Sequence, residues 1–184
     1  MIIFDLDGTL ADCQHRRHFV DINYSLNHGY ITAIGMFGHS VTNEQRGNLY
    51  HSETKQKWKP DWPAFYEACD KDKPIEPVVE IWNYQISQGM MGVHQIWSGR
   101  CESVRKKTEE WIDKNLLCFE PHQLKMRPIG DNAPDDVLKE RWLDESIADG
   151  KTIDFVFDDR LKVVRMWRRR GIFVFNCCQH DGEF

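Results

Sequence analysis

The sequence predicts an α/β protein whose core is a Rossmann-like parallel sheet flanked by helices. Two short apolar runs, at residues 2–4 and 153–157, have the composition of strands that are buried on both faces of such a sheet. Each run is followed directly by a pair of carboxylates, and helical patterns lie between them. The length of 184 residues suits a single domain, residues 1–184, with a modest insertion.

The composition excludes several classes of protein. No apolar run approaches the roughly 20 residues of a membrane span, and the first strand begins too early for a signal peptide, so we expect a cytoplasmic protein. Six cysteines include no Cys-x-x-Cys pair, and we expect reduced thiols. A net charge of −5 argues against a large basic surface for long nucleic acid, although a local basic pocket remains compatible with it.

The first strand ends in Asp5 and Asp7, followed by Gly8 and Thr9. Ligands of open α/β sheets bind at the carboxyl ends of the strands, where both carboxylates would project. Two like charges this close require neutralisation, and Mg²⁺ is the natural counter-ion because it prefers oxygen ligands. The alternative is an ordinary strand followed by an Asp-Gly turn.

A polar, basic stretch follows at residues 11–19 and includes Arg16. Arginines near a phosphoryl site bind phosphate through paired hydrogen bonds, but a solvated helix face is the interpretation we favour from this pattern alone. Residues 20–61 form the least regular part of the chain and contain four glycines. We predict an insertion here, which is either a cap that selects substrate and excludes water or a surface elaboration.

The remaining elements follow from apolar periodicity and from capping residues. We predict further strands at 93–97, 124–129 and 172–175, and helices at 77–89, around 104–112, from 135 onward and at 161–170.

Two further sites fall near the same edge of the predicted sheet. Ser98, Gly99 and Arg100 follow a strand, where a hydroxyl and backbone N–H groups bind phosphoryl oxygens. Lys139 lies near the start of a helix that also contains Asp135, and it would balance the charge of a carboxylate, metal and phosphate cluster. The ordinary alternative for this lysine is a surface position.

Asp158 and Asp159 give the strongest indication of a functional site. They follow the second apolar strand, so two strands each deliver a pair of carboxylates to one edge of the sheet. Chance explains one such pair easily and two poorly. A cluster of arginines ends the next helix, where cations are already expected from the helix dipole.

These motifs, taken in order, resemble those of the haloacid dehalogenase-like phosphatases. The matching segments are Asp-Leu-Asp-Gly-Thr-Leu-Ala from residue 5, Ser-Gly-Arg from residue 98, Asp-Asp-Val-Leu-Lys from residue 135 and Asp-Asp-Arg from residue 158. The last segment, with Val-Val-Arg-Met-Trp-Arg-Arg from residue 163 and a terminal Asp-Gly-Glu-Phe, resembles most the 3′-phosphatase domain of the bacteriophage polynucleotide kinase/phosphatase group. Two departures are the absence of a Gly-x-x-x-x-Gly-Lys-Ser/Thr kinase loop and a longer insertion.

The resemblance implies a role for each motif residue. Asp5 would be the nucleophile that forms an aspartyl-phosphate, and Asp7 would be the general acid and base. Mg²⁺ would be held by Asp5, the backbone carbonyl of Asp7, and Asp158, with Asp159 in support. The residues implied to bind substrate phosphate are Thr9, Arg16, Ser98, Gly99, Arg100 and Lys139. Asp135 would orient Lys139.

The resemblance favours a phosphomonoesterase that removes 3′-phosphate from nucleic-acid ends. The nearest alternative is a phosphatase of free nucleotides, which a closed insertion would favour. A third is a non-catalytic nucleic-acid-binding module on the same fold, although such a module has no need for the clustered carboxylates.

Overall fold

The computed structural model of this chain describes residues 1–27 and 59–178. The chain divides into two compact units, the first made of Met1–Cys13 with Asp70–Phe184 and the second of Gln14–Cys69. The insertion predicted at residues 20–61 falls within the second unit, and its residues 28–58 lie outside the described residues.

The first unit contains a five-stranded parallel sheet and a two-stranded antiparallel ribbon. The strands are β1 Ile2–Phe4, β2 Ala11–Asp12, β3 Lys73–Pro74, β4 His94–Cys101, β5 Leu124–Arg127, β6 Phe155–Asp158 and β7 Phe173–Asn176. The sheet has the order β5-β4-β1-β6-β7, and its four pairings are all parallel. The predicted α/β fold with a parallel sheet is therefore confirmed.

The helices are α1 Ile22–Asn27, α2 Trp62–Glu67, α3 Glu76–Ser87, α4 Arg105–Asn115, α5 Asp135–Ala148 and α6 Leu161–Arg169. The first two belong to the second unit, and the other four accompany the sheet. At 14 residues α5 is the longest of these six, and within the described ranges no helix has the length and apolar character to cross a bilayer.

One strand is longer than predicted. β4 continues past Trp97 to Cys101, so the Ser-Gly-Arg segment is part of the strand and does not follow it. Its pairing with β5 becomes irregular between Ser98 and Cys101. Polar residues at a buried strand end carry no apolar signal, which explains the early end that periodicity predicted.

Packing on both faces fixes the sheet. On one face Trp97 of β4 lies against Trp142 of α5 and Trp167 of α6, with ring centroids 5.8 and 5.7 Å away. On the other, Phe4 stacks on Phe157 at 4.6 Å and contacts Trp82 of α3 at 5.2 Å. The helices thus bury both faces of central strand β1, as a parallel sheet requires.

The register of β1 determines which carboxylates meet. Phe4, the last residue of β1, is paired with Phe157 of β6 and with Ile96 of β4. Asp5 and Asp158 each follow one of the paired phenylalanines, so they emerge side by side at the carboxyl edge of the sheet. Open parallel sheets bind their ligands at this edge.

The β2–β3 ribbon lies at both connections to the second unit. Ala11 pairs with Pro74 and Asp12 with Lys73, and the amide of Ile75 donates to the carbonyl of Leu10 at 2.8 Å. Because the ribbon begins soon after Asp7, it fixes the chain that returns at residue 70 beside the loop that follows β1.

The second unit begins with a 3₁₀ helix, Gln14–Phe19. Arg16 on this helix is fully buried, so the solvated face favoured for this stretch is wrong at that residue. Its guanidinium lies 4.1 Å from the ring centroid of Phe65 and donates to the Phe65 carbonyl at 3.1 Å. Arginine stems and guanidinium planes pack well on aromatic rings, which is why burial is tolerated here.

Candidate active site

Lys139 is the centre of the acidic cluster at the carboxyl edge of the sheet. Its Nζ atom lies 2.7 Å from Asp5 Oδ1 and 2.7 Å from Asp158 Oδ2. All three side chains are at most 9% exposed. The first turns of α5 carry this lysine inward from Asp135, so it is not the surface residue that its helical position alone suggested.

The cluster holds more negative charge than one lysine neutralises. Burial raises the pKa of Asp5 well above its ordinary value, Lys139 opposes this rise, and Asp158 and Asp159 add to it. Burial and then the charge of Asp158 raise the pKa of Asp159 to about 6. The site is therefore electrostatically suited to a second cation in addition to the lysine.

The donor atoms fit a hard divalent cation. Asp5, Asp158 and Asp159 each place a carboxylate oxygen within 4.8 Å of the others, and they are the group of this kind found among the described residues. Carboxylate oxygens are the ligands that Mg²⁺ prefers, whereas zinc sites are built mainly from histidine and cysteine. Asp159, expected only to support the metal, thus lies within the candidate ligand group itself.

The residues after Asp7 pack closely against Asp159. Gly8 has φ +88°, and a Cβ atom at this position would overlap the Asp159 carboxylate. Thr9 is buried and its Oγ1 donates to Asp159 Oδ1 at 3.1 Å. The Gly-Thr segment therefore supports the Asp159 carboxylate of the candidate ligand group, and the Thr9 hydroxyl donates its hydrogen bond to that carboxylate.

A second buried cation, Arg100, holds the other carboxylate of the first motif. Its Nε and Nη2 atoms lie 2.9 and 2.5 Å from Asp7 Oδ1, and Nη2 lies 2.6 Å from Asp72 Oδ2. Arg100 and Asp72 have fully buried side chains, whereas that of Asp7 is 21% exposed. The expected phosphate-binding arginine thus contacts two carboxylates of its own chain.

The other members of the Ser-Gly-Arg segment also have partners within the protein. Ser98 is buried and its Oγ accepts a hydrogen bond from the amide of Arg100 at 3.2 Å. The carbonyl of Gly99 accepts from Arg127 Nε at 2.9 Å. A Cβ atom at Gly99 would lie 2.8 Å from Asp135 Oδ1, so glycine is needed for this close approach.

Asp135 was expected to orient Lys139, but its carboxylate forms ion pairs with Arg127 and Arg160. Lys139 is instead oriented by Asp5 and Asp158 themselves. Asp135 is the first residue of α5 and bonds to Arg127, which ends β5, and to Arg160, which lies two residues after β6. Asp135 therefore supports the site from the side of Gly99.

Three residues of this network were not assigned roles from the sequence. Asp72, Arg127 and Arg160 each bond to a motif residue or to its support. Asp72 lies in an unremarkable polar stretch, and Arg127 ends a short strand. Of the three, only Arg160 could have been identified from the sequence, because it directly follows the second carboxylate pair.

The fold and the site together define a phosphatase of the haloacid dehalogenase-like class. The central strands of a parallel sheet bring two acidic segments to one edge, and helix α5 brings Lys139 to the same place. The chain belongs to the family described as the polynucleotide kinase PNKP phosphatase domain, whose family model matches residues 61–184.

Three known proteins of related sequence or fold are each larger than this chain. A protein of Autographa californica nuclear polyhedrosis virus, provisionally described as a bifunctional polynucleotide kinase/RNA ligase, is 38% identical over 88 residues, covering 47% of this chain and 12% of that protein. A chain of the Pnkp1/Rnl/Hen1 complex has a similar fold (TM-score 0.60, 23% identity, 98% of this chain and 46% of that one). A hydrolase from Pseudomonas syringae is also similar (TM-score 0.54, 17% identity, 98% and 85% covered).

The chain therefore spans less than half the length of the first two of these proteins. The similarity to the two solved structures concerns the fold alone.

Proposed function

We propose that this chain is a Mg²⁺-dependent phosphomonoesterase that forms an aspartyl-phosphate on Asp5 and removes 3′-phosphate from nucleic-acid ends. The observation that carries the proposal is the convergence of Asp5 and Asp158 on the single amine of Lys139 at the carboxyl edge of the sheet. A buried nucleophilic carboxylate with a fixed cation beside it is the arrangement that attack on a phosphate dianion requires.

In the first step, an oxygen of Asp5 forms a bond to phosphorus while the bond from phosphorus to the 3′-oxygen of the substrate breaks. Asp7 donates its proton to that departing oxygen, which leaves as a hydroxyl. Asp7 suits this role because it is the most exposed of the carboxylates bound to Lys139 and Arg100.

In the second step, Asp7 takes a proton from a water molecule whose oxygen attacks the phosphorus of the aspartyl-phosphate. The bond from phosphorus to Asp5 breaks, inorganic phosphate leaves, and the Asp5 carboxylate is restored. Lys139 remains beside the reacting oxygen throughout, because Asp5 and Asp158 bond to it from two sides.

Asp5, Asp158 and the backbone carbonyl of Asp7 would hold Mg²⁺, with Asp159 beside them. When bound, the ion supplies positive charge that shields the carboxylates from the phosphate. Phosphoryl oxygens would be bound by Lys139 and by the segment formed by Ser98 and Gly99. Thr9 and Arg100 would act through Asp159 and Asp7, to which they donate hydrogen bonds, and Asp135 would hold the Ser-Gly-Arg segment in place. The substrate contact expected of Arg16 stays a prediction.

The family supports the substrate class that we propose. The chain belongs to a phosphatase domain family of polynucleotide kinases, and one similar fold occurs in a complex described as an RNA repair complex. A phosphorylated nucleic-acid end is therefore the substrate that we propose. Whether residues 20–61 form a cap over the site stays a prediction, since most of them lie outside the described residues.

The nucleophile is tested with Asp5→Asn. We expect Mg²⁺-dependent phosphate release to fall below detection, because an amide does not attack phosphorus, while the thermal midpoint stays near or above that of the wild type. Asp113→Asn is the matched control, since Asp113 is an exposed aspartate on α4, and it should retain full activity. Full activity of Asp5→Asn would refute the proposed mechanism.

The substrate is tested by comparing kcat/KM for one oligonucleotide carrying a 3′-phosphate, the same oligonucleotide carrying a 5′-phosphate, and nucleoside 3′- and 5′-monophosphates. We expect the 3′-phosphorylated oligonucleotide to be preferred by at least about tenfold, equivalent to roughly 1.4 kcal/mol. Equal or faster hydrolysis of the mononucleotides would establish a nucleotidase instead. Binding of the strand without turnover of any phosphomonoester would establish a non-catalytic module.

A further inference from the structure

Asp72 is a fully buried carboxylate that the proposed reaction does not use. Its Oδ2 atom lies 2.6 Å from Arg100 Nη2, and the same nitrogen lies 2.5 Å from Asp7 Oδ1. One guanidinium therefore joins Asp72, which is inaccessible to solvent, to Asp7, which is 21% exposed. Buried carboxylates are retained in proteins where they are paired in this way.

The position of Asp72 is fixed by the backbone around it. It immediately precedes β3, which pairs with β2 close to the end of the loop that carries Asp7. Its carbonyl accepts a hydrogen bond of 2.7 Å from Nε1 of Trp111, a buried residue of α4. The strand ribbon and the tryptophan thus hold Asp72 independently of Arg100.

We propose that Asp72 is a positioning residue that orients the general acid Asp7 through Arg100. The inference rests on the proposed function, because it takes Asp7 as the group that gives its proton to the leaving oxygen. The Nη2 atom of Arg100 donates to both Asp72 and Asp7, and its Nε atom donates to Asp7 as well. A planar guanidinium held by one carboxylate presents its remaining N–H groups in a fixed direction. Asp72 thereby determines where the Asp7 carboxylate lies.

The choice of leaving group distinguishes a positioning role for Asp72 from a purely structural role. Proton donation matters when the departing oxygen is a strong base, as the 3′-oxygen of a sugar is. It matters little when the leaving group is p-nitrophenolate, which departs without a proton. A misplaced Asp7 therefore slows the first step for one substrate and not for the other.

The experiment measures the first turnover, in which the leaving group is released and Asp5 is phosphorylated, for a 3′-phosphorylated oligonucleotide and for p-nitrophenyl phosphate. For Asp72→Asn we expect the rate with the oligonucleotide to fall about 10²-fold, within the range that general acid catalysis contributes. The rate with p-nitrophenyl phosphate should change by less than about threefold, because nucleophile, lysine and metal ligands are unaltered.

Asp70→Asn is the matched control, since Asp70 is an exposed aspartate two residues earlier on the same connection, and it should leave both rates unchanged. Asp72→Glu keeps the charge and displaces the carboxylate by one methylene, so we expect the same selective loss at smaller size. This second variant provides the test if Asp72→Asn does not fold, as judged by circular dichroism and the thermal midpoint.

Equal losses with both leaving groups, or no loss with either, would overturn the role proposed for Asp72. Failure of the proposed function gives a different result, in which the wild-type protein itself releases no phosphate from the oligonucleotide or Asp5→Asn remains active. If only the substrate is wrong, the same comparison is made with a nucleoside monophosphate in place of the oligonucleotide.

Discussion

Two buried cations organise the site, and each lies between two carboxylates. Lys139 joins Asp5 to Asp158 with two contacts of 2.7 Å, and no member of that group is more than 9% exposed. Arg100 joins Asp7 to Asp72, and there Asp7 alone reaches solvent. The two groups are neighbours, because each contains one carboxylate of the first motif and Asp5 and Asp7 are separated by a single residue.

The difference between the cations matches a difference in task. The amine of Lys139 is a compact charge that balances a crowded set of oxygens, whereas the guanidinium of Arg100 is a rigid fork that sets direction. Asp159 adds a third carboxylate near Lys139, so that group is suited to a metal ion. In the Arg100 group, one cation faces two carboxylates and positions the accessible one.

The largest effect is expected when the Lys139 group is broken. Lys139→Met leaves Asp5 and Asp158 buried beside each other without their cation, which should lower the free energy of unfolding by about 3–5 kcal/mol. We further expect saturating Mg²⁺ to stabilise this variant more than it stabilises the wild type, because the ion then supplies the missing positive charge. Urea denaturation with and without Mg²⁺ measures both quantities.

Lys106→Met is the control for loss of a lysine, since Lys106 is 90% exposed, pairs with Glu110 at 3.9 Å and should contribute no more than about 1 kcal/mol. If Mg²⁺ stabilised Lys139→Met and the wild type equally, the acidic group around Lys139 would not be the metal site.

Loss of Arg100 is expected to have a smaller effect on stability than loss of Lys139. Arg100→Met should lower the free energy of unfolding by roughly 2–4 kcal/mol, somewhat less than the loss of Lys139, because Asp7 is accessible and can be rehydrated while Asp72 cannot. The stabilisation by Mg²⁺ should equal that of the wild type, since the carboxylates of the ligand group are intact. A gain of Mg²⁺ stabilisation in this variant would show that the two groups are not independent.

A smaller loss of stability is expected when either of two glycines beside the site, Gly8 or Gly99, is replaced by alanine. Gly8→Ala requires an alanine at φ +88°, which costs about 1–2 kcal/mol, and its Cβ atom also overlaps Asp159, which adds roughly 1–3 kcal/mol. Gly99→Ala meets only the close approach of 2.8 Å to Asp135. We therefore expect Gly8→Ala to unfold at the lower temperature of the two in parallel thermal scans, and the reverse order would contradict this account.

The parts of the fold that sequence could predict are those set by local pattern. Apolar runs located β1 and β6, and the rule that ligands bind at strand carboxyl ends led to the prediction that Asp5 and Asp158 share an edge, where the register of β1 and β6 now places them. Lys139 was found through its place in the motif order, since its helical position alone favoured the surface.

The parts that sequence did not predict depend on which distant side chains meet. Asp72 reaches Arg100 because the β2–β3 ribbon brings residues on either side of the 14–69 unit together, and no local pattern records that pairing. The partners of Asp135 depend in the same way on where β5 and β6 end. The length of β4 was underestimated because Ser98 and Arg100 near its end are polar although they are buried.

The smallest effect concerns a buried group that has no counter-charge comparable to those of the two cations. His94 begins β4, its Nε2 lies 2.7 Å from Gln85 Oε1, and its ring packs against Phe4 and Trp82. Burial lowers the pKa of His94 from its ordinary value of 6.5, and the positive N-terminus lowers it further against an opposing backbone hydrogen bond. The folded protein therefore favours the neutral imidazole, which is the opposite of the arrangement at Lys139 and Arg100.

The lowered pKa of His94 makes the folded protein less stable as the pH falls. The stability gained from a neutral His94 is present above pH 6.5 and is lost as the pH falls below 6.5 toward the lower pKa of the folded state. His94→Gln removes the titrating group while keeping a polar side chain, so its free energy of unfolding should decline less steeply between about pH 6.5 and 5 than that of the wild type. His122→Gln, at an exposed histidine, should leave the wild-type slope unchanged, and parallel slopes for all three proteins would show that His94 does not contribute.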